Sequence, residues 1–503
     1  MTVGNTSAKR STLPVLTLLL TGCTVGPDFV RPVAPDVTRY TYTALSPTVS
    51  TANLVGGEAQ HFTDGQDIPA GWWELFGSSA LNDLLERALK ANPDLKAAEG
   101  ALTVAHENLL AQRGAYFPSV FAGFAASRSK TSAELAPTPS SGALLFNLFT
   151  PQVSVSFVPD VFGLNRRLVE SLSSAEQHTR FEFTATYLAL TANVVVAAIL
   201  EAGLREQIRT TRELIAADEN SLEVLRRQKA RGYVSRLDVL AQEAQLAQAS
   251  ATLPPLLKQL AQQRDLLATL SGAVAGEGLP EKFELSELKL PRELPLSVPS
   301  RLIEQRPDVR QAEENLHIAS AQIGVAVANR LPSFNISADL GASSVTLSGL
   351  TASDAEFWDL GAQVTQPIFQ GGTLMHKERA ARAAYLQAKE QYRSAVLAAF
   401  QNVADVLAAL EYDAEALRAC AASTEAAKMT LDVVRAQRRA GYASYLQLLS
   451  AEESYQTAVT GQVQAQTNRF ADTAALFQAL GGGWWNRSDA RMGGLPARGP
   501  NTN

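Results

Sequence analysis

The sequence contains little sulfur and little histidine. Its 503 residues include two cysteines, four methionines and five histidines. Cys23 and Cys420 are too few for a disulfide framework, and the histidines stand singly rather than at metal-ligand spacing. Phosphate-binding GxxxxGK loops and the HExxH and GxSxG motifs are also missing from the sequence. We therefore predict no enzyme, no metal site and no cofactor.

Long hydrophobic runs and a basic excess are also lacking. The most apolar stretch, residues 187–200, is shorter than a membrane span and contains Thr191 and Asn193, so we expect a buried helix. There are 44 basic and 50 acidic residues, a formal charge of −6. Removal of residues 1–22, with Lys9 and Arg10, would leave −8, which disfavours nucleic acid as a partner.

The N-terminus has the pattern of an exported lipoprotein. Lys9 and Arg10 precede a short apolar run that ends in Leu-Thr-Gly-Cys at Cys23. This order predicts a secretory signal peptide, and the Gly-Cys ending resembles the bacterial lipobox. We expect lipidation of Cys23, the only non-protein group predicted, and Thr24 after it favours the outer membrane.

The chain repeats itself after about 210 residues. Segment 231–240, RGYVSRLDVL, returns as segment 440–449, AGYASYLQLL, and NPDL at 92–95 returns as RPDV at 306–309. The offsets of 209 and 214 positions are nearly equal, so a half-unit has been duplicated in tandem. We expect one body with internal pseudo-twofold symmetry.

Periodicity predicts the same elements in each half. The predicted segments are a signal peptide (1–22), a lipid-anchored extended tether (23–70), a first repeat (71–272), a linker (273–300), a second repeat (301–483) and a disordered tail (484–503). Alternating polarity predicts strand pairs at about 119–159 and 333–367. Long helices at about 164–230 and 373–439, each roughly 100 Å long, lead into shorter helices at 237–270 and 446–480. An apolar heptad in the first long helix is interrupted at Glu201, Thr211 and Asp218.

Four strands are too few to close a membrane barrel. Two chains would supply eight strands and a filled interior, whereas three would supply twelve and leave an open lumen. A homotrimeric channel is therefore the economical hypothesis. The alternative is a soluble β-sandwich with coiled-coil arms, acting as a non-transporting lipoprotein scaffold.

Several ordered motifs resemble the outer membrane efflux lipoproteins of the TolC/OprM/NodT type. They are VGPDFVRP at 25–32, WWELF at 72–76, RPDV at 306–309, AQIGVA at 321–326 and ALGGGW at 479–484. The resemblance implies an α+β membrane protein whose duplicated half-units build a trimeric twelve-stranded outer-membrane β-barrel, continuous with a long periplasmic α-helical barrel. It also implies location in the outer membrane of a Gram-negative bacterium.

The same resemblance implies a function and partners. Such proteins are passive exit ducts of tripartite efflux pumps for small toxic compounds. They work with a periplasmic adaptor and an inner-membrane RND-type transporter. Heavy-metal export and type I protein secretion are alternatives within this class.

The resemblance also assigns candidate site residues at the two helical turns. The adaptor-docking positions would be Gly232, Tyr233, Ser235, Arg236, Asp238, Gly441, Tyr442 and Ser444. A purely structural role remains open, because glycine permits the turn and serine caps the next helix. Leu446 and Ser450 would form the pore constriction. Relatives commonly have aspartate where this chain has Ser450, so we predict a constriction that depends on apolar Leu446.

Overall fold

The computed structural model describes residues 24–51, 53–132, 134 and 144–487. The predicted signal peptide, Cys23 and residues 488–503 lie outside the described residues. The chain forms two compact units. In the described residues, the first unit comprises 24–31, 103–178 and 313–391, and the second comprises 32–102, 179–312 and 392–487.

The first unit contains a four-stranded sheet. Its strands are β2 (Ser119–Lys130), β3 (Leu145–Phe157), β5 (Ser333–Ala342) and β6 (Glu356–Thr365). All neighbours are antiparallel, in the order β2-β3-β5-β6, so the two pairs from the two halves of the chain meet at β3 and β5.

Helices repeat in the same order in each half of the chain. The first half has α1 (Ser79–Ala91), α2 (Pro93–Arg113), α3 (Leu164–Ala230) and α4 (Arg236–Leu270). The second half has α5 (Pro299–Gln305), α6 (Pro307–Ala328), α7 (Thr373–Arg439) and α8 (Tyr445–Ala479). Asn92 separates α1 from α2, because its side chain accepts a hydrogen bond from Leu95 N and Pro93 follows it.

The two long helices have 67 residues each, and the helices that follow them have 35 each. By length and composition, α3 and α7 both contain a stretch apolar enough to cross a membrane. In α3 that stretch is 67% buried, whereas in α7 only 28% is buried. The apolar part of α7 therefore remains largely uncovered within one protomer.

The core of the second unit surrounds the two aromatic residues that open the first repeat. Trp72 and Phe76 are fully buried, and the Trp72 ring stacks on Phe477 of α8 at 5.1 Å between centroids. Apolar residues of α3, including Val194 and Ile199, complete this cluster. Burial of several such side chains, each contributing about 1.5–3 kcal/mol, explains why the helices pack here.

Part of the segment predicted as a tether is incorporated into this core. Residues 24–51 and 53–60 have little regular structure, but Thr48 and Gln60 are buried. Strand β1 (His61–Asp64) then pairs in parallel with β4 (Glu293–Leu296) of the predicted linker. The Gln60 amide donates to Pro291 O and Thr473 Oγ1, both at 3.0 Å. The second half of the segment is therefore fixed rather than free, because its buried polar groups are paired.

The beginning of the predicted disordered tail is also packed. Residues Trp484–Asn486 form a single 3-10 turn. The indole of Trp484 donates to Gln305 O at 2.7 Å, and the amide of Asn486 donates to Ile68 O at 2.7 Å. Order therefore extends to the end of the described residues, past the residue where the tail was predicted to begin.

Candidate functional site

The sheet of the first unit has one continuous apolar face that no other element of the described residues covers. Apolar residues lie opposite one another across the strands, as in the pairs Val153–Leu340 and Ala338–Leu360. Large side chains on this face keep much of their surface, for example Trp358 at 76% exposure. The other members of this face are Val120, Phe124, Phe149, Val155, Ile336 and Val364. An exposed apolar face of this size indicates contact with lipid or a partner.

The opposite face of the sheet is mainly polar and is hydrogen-bonded between β3 and β5, although Phe121 and Phe357 also lie on it. Ser156 Oγ donates to Asn335 Oδ1 at 3.1 Å, and the Ser154 hydroxyl donates to Asp339. Alternation of apolar and polar residues gives a wall with one side suited to lipid and the other to water. The outer edges of β2 and β6 have no strand partner in the described chain.

The first hairpin tip joins α3 to α4 through residues 231–235. Gly232 has φ of +77° and ends α3, while Tyr233 is 77% exposed. Ser235 is the N-cap of α4, and its hydroxyl accepts from Asp238 N. The Asp238 carboxylate in turn accepts from Ser235 N at 2.9 Å, which completes a capping box. Arg236 is exposed at the first position of α4.

The second hairpin tip repeats this geometry. Gly441 has φ of +83°, Tyr442 is 86% exposed, and Ser444 caps α8. Gln447 replaces the aspartate of the first capping box, because its amide oxygen accepts from Ser444 N at 2.7 Å. Both glycines have the left-handed backbone that only glycine adopts without strain. Gly232, Gly441, Ser235, Ser444 and Asp238 therefore all have a structural role in the turns, whatever else they bind.

The two predicted constriction residues lie on the first turns of α8. Leu446 is 65% exposed, and Ser450 one turn later is also exposed. A large apolar side chain at a helix start gains little free energy when it stays in water. The structure therefore leaves Leu446 uncovered within this chain, one residue after Tyr445, which is buried against the first hairpin.

A buried polar cluster lies next to the tips, on α3, α4, α7 and α8, and is not predicted from the sequence. Gln242 of α4 donates to the Asp218 carboxylate of α3 at 3.1 Å, and Arg435 of α7 donates to Glu452 of α8 at 3.1 Å. Burial raises the pKa of both Asp218 and Glu452, against the opposing effect of Arg435. Burial likewise raises the pKa of Tyr445. Asp218 interrupts the apolar heptad of α3, so the sequence indicates that this carboxyl needs a hydrogen-bonding partner. The sequence does not indicate which residue that is, because Gln242 lies on another helix.

A small apolar cluster holds the two tips side by side within one protomer. Tyr445 of α8 is buried against Leu222 and Leu225 of α3 and Val239 of α4. Its ring also lies 5.8 Å from the Arg438 guanidinium. The two hairpin tips therefore form one surface.

A second group of ionisable residues lies farther along α7 and α8. Arg469 is fully buried, and its guanidinium donates to Thr48 Oγ1 at 3.0 Å. Burial and the adjacent carboxyl of Asp472 together raise the pKa of Asp413 to about 7, against the opposing effect of Arg469. Asp413 therefore keeps its proton to a higher pH than an ordinary aspartate does.

The segment that follows Cys23 is bound to the first unit by its backbone. Arg167 of α3 is 4% exposed and donates to Val25 O at 3.0 Å and Gly26 O at 3.2 Å, and it pairs with Asp28 at 2.9 Å. A Cβ on Gly26 would lie 2.4 Å from Gly324 Cα, so only glycine fits at this contact.

An aromatic stack extends this contact. The Phe29 ring stacks on His317 of α6 at 4.1 Å between centroids. Burial lowers the pKa of His317, but hydrogen bonds to Glu314 and Glu170 outweigh that effect and raise the pKa above its usual value. The next residue but one, Arg31, pairs with Glu313 at 2.8 Å. Residues Val25 to Arg31 are therefore anchored by a series of specific contacts.

The chain is similar to known efflux proteins over nearly its whole length. The family model described as outer membrane efflux protein matches residues 84–273 and 298–482. The toluene efflux pump outer membrane protein TtgC of Pseudomonas putida is 28% identical over 482 residues, which cover 95% of this chain and 96% of that relative.

Two solved structures share the fold. The outer-membrane channel OprN superposes with a TM-score of 0.81 at 25% identity, covering 92% of this chain and all of that one. The open state of the Neisseria gonorrhoeae MtrE outer membrane channel gives 0.78 at 26% identity, covering 93% and 100%. The predicted TolC-like fold class and the predicted transport function, rather than an enzymatic one, are thereby confirmed. With its duplicated half-units matched twice by one family model, the chain belongs to the outer membrane efflux protein family, whose members are efflux ducts of the outer membrane.

Proposed function

We propose that three copies of this chain form one duct whose membrane part is a twelve-stranded barrel. The observation that carries this proposal is the four-stranded sheet with one uncovered apolar face, one polar face and two unpaired edges. An open edge in the membrane leaves backbone groups unsatisfied, so β2 of one copy must pair with β6 of the next. Three copies leave a lumen, whereas two do not.

The duct is attached to the outer membrane by a lipid on Cys23, after removal of residues 1–22. The contacts of residues 25–31 with Arg167 and His317 support this assignment, because they hold the residue after the anchor against the first unit. The proposed boundaries of the two repeats are 71–272 and 301–483. Residues 273–300 connect them.

The hairpin tips are the proposed docking site for a periplasmic adaptor that links the duct to an inner-membrane RND-type transporter. Exposed Tyr233, Arg236 and Tyr442 supply contact surface there, while the tip glycines and serines hold the turns. Leu446 and Ser450 are the proposed constriction. Since TtgC is named for toluene efflux, we propose small toxic organic compounds as the cargo.

Disulfide crosslinking between protomers tests the barrel. In a Cys420→Ser background, Ala122→Cys on β2 is combined in turn with Leu360→Cys, Ala362→Cys or Val364→Cys on β6. These positions share the apolar face and lie on the two open edges. We expect oxidation of cells to give a covalent trimer for at least one combination.

The matched control is Val155→Cys with Ala338→Cys, which lie opposite each other in the register of a single protomer. This pair should crosslink within one chain and give only monomers on a denaturing gel. Edge cysteines that never join chains, while the control pair oxidises, would contradict the trimeric barrel. Purification of the crosslinked trimer followed by mass spectrometry of bound proteins then tests for the adaptor and the transporter.

A further inference from the structure

The tips of the two hairpins are positively charged, whereas the chain as a whole is negatively charged. The whole chain has a formal charge of −6. Residues 226–238, around the first tip, nevertheless contain five basic residues and one acid, and residues 435–447, around the second tip, contain three arginines and no acid. The combined tip surface of one protomer therefore has a formal charge of +7.

Most of this positive charge is not neutralised by ion pairs. Arg226 pairs with Glu243 at 2.7 Å, and Arg227 pairs with Glu223 at 3.1 Å. Five other basic residues of the tips have no carboxylate within 4.0 Å in the described part of the chain, and all but Arg438 are exposed: Lys229, Arg231, Arg236, Arg438 and Arg439. Unpaired exposed cations contribute fully to the field outside the surface.

The acids next to the tip segments compensate Arg226 and Arg227 but not the cations closer to the helix ends. Asp238 is the one acid in the tip segments, and its negative charge is already included in the sum of +7. Glu223 and Glu243 lie about 10 Å from the helix ends at a rise of 1.5 Å per residue. The Debye length is about 8 Å at physiological ionic strength, so the outer layer of cations acts with limited compensation from behind.

Residues 442–451, at the second tip and the start of α8, contain no acid. The next acids along α8 are Glu452, which is buried against Arg435, and Glu453, which is exposed about one turn after Ser450. The apolar contact of Tyr445 with α3 and α4 keeps both tips in one surface, so their fields add.

We propose that the tip surface makes the entrance of the duct electropositive, so that the channel prefers anions and admits anionic cargo more readily than cationic cargo. This inference rests on the proposed function, in which the hairpin tips surround the entrance. A charged ring at a narrow mouth concentrates the ion of opposite sign and repels the other. After the three ion pairs of Arg226, Arg227 and Arg435 are set aside, the five remaining cations and Asp238 leave +4 per chain, so three protomers place about 12 positive charges there.

Reversal potentials in planar lipid bilayers test the preference. The purified full-length protein is inserted and studied under a tenfold KCl gradient. We expect the reversal potential to be displaced toward the equilibrium potential of chloride, with a chloride-to-potassium permeability ratio of at least about 2. In the variant K229Q/R231Q/R236Q/R439Q the ratio should fall to about 1 or lower. The difference between the permeability ratios of the wild type and the variant should shrink when the gradient is moved to KCl concentrations of about 1 M and above, because screening increases.

The matched control is K96Q/K258Q/K282Q/K389Q, which removes the same number of exposed positive charges away from the tips. It should keep the wild-type reversal potential. A cation-selective or unselective wild type would overturn the inference, as would equal shifts in the two variants. Absence of any conductance would instead contradict the duct itself, and the inference with it.

Discussion

Replacement of Asp413 by asparagine should remove a pH dependence of stability. The pKa of Asp413 is about 7 in the folded protein, because burial and the neighbouring Asp472 disfavour its charged form. Between about pH 4 and pH 7 the folded chain therefore holds a proton that an unfolded aspartate has lost. The stability that this proton confers is complete below about pH 4 and is lost as the pH rises through about 7.

The size of the pH-dependent change in unfolding free energy follows from the difference between the folded and unfolded pKa of Asp413. About three pH units correspond to about 4 kcal/mol for a fully buried group. Asp413 keeps partial contact with solvent, so we reduce this by about half, to about 2 kcal/mol. Asparagine keeps the shape and a hydrogen-bonding amide but cannot ionise.

The assay is thermal unfolding of the detergent-purified protein, followed by loss of helical circular dichroism at about pH 5.5 and about pH 8.5. The wild-type midpoint should fall between the two pH values, and that of Asp413→Asn should fall by clearly less. Asp432→Asn, an exposed position on the same helix, is the control and should behave as wild type. Equal pH slopes for wild type and Asp413→Asn would refute the argument that Asp413 keeps its proton up to about pH 7.

Three further predictions concern packing, capping and conductance. Gly203→Ala should lower the free energy of unfolding by about 1–3 kcal/mol in denaturant titrations, since its Cβ would lie 2.3 Å from a threonine hydroxyl of α8. Gly100→Ala has nothing within 4 Å and should instead raise it by up to about 1 kcal/mol. Ser444→Ala should cost about 1 kcal/mol in the same titrations, through loss of the α8 cap. Leu446→Ala should raise single-channel conductance more than Ser450→Ala, and equal, unchanged conductances would contradict the constriction assignment.

The elements of the repeat could be predicted from local signals. Glycine followed by tyrosine and serine specifies each hairpin tip, because the turn needs a left-handed residue and the next helix needs a cap. The apolar face of the sheet could be predicted from alternation along β3, β5 and β6, since side chains of a strand point to opposite faces. Such signals operate over fewer than about ten residues.

Contacts between distant segments could not be predicted in this way. Glu201 was recognised as an interruption in an apolar seam, but not its partner Arg264, 63 residues away in the sequence and 2.8 Å away in space. The burial of Arg469 depends on Thr48, which lies 421 residues earlier. A single sequence indicates that a buried charge needs a partner, and only the packed helices determine which residue supplies it.

The parallel pairing of β1 with β4 has a consequence for the order of folding. Residues 61–64 pair with residues 293–296, so this small sheet closes a loop that includes the whole first repeat. Each strand has only four residues, and a few hydrogen bonds cannot offset the entropy of so long a loop on their own. The pairing therefore forms only after the helices of the first repeat have already brought its ends together. A chain that reaches the periplasm N-terminus first must keep β1 unpaired until residues 293–296 have emerged after the whole first repeat, so β1–β4 closure marks completion of that repeat.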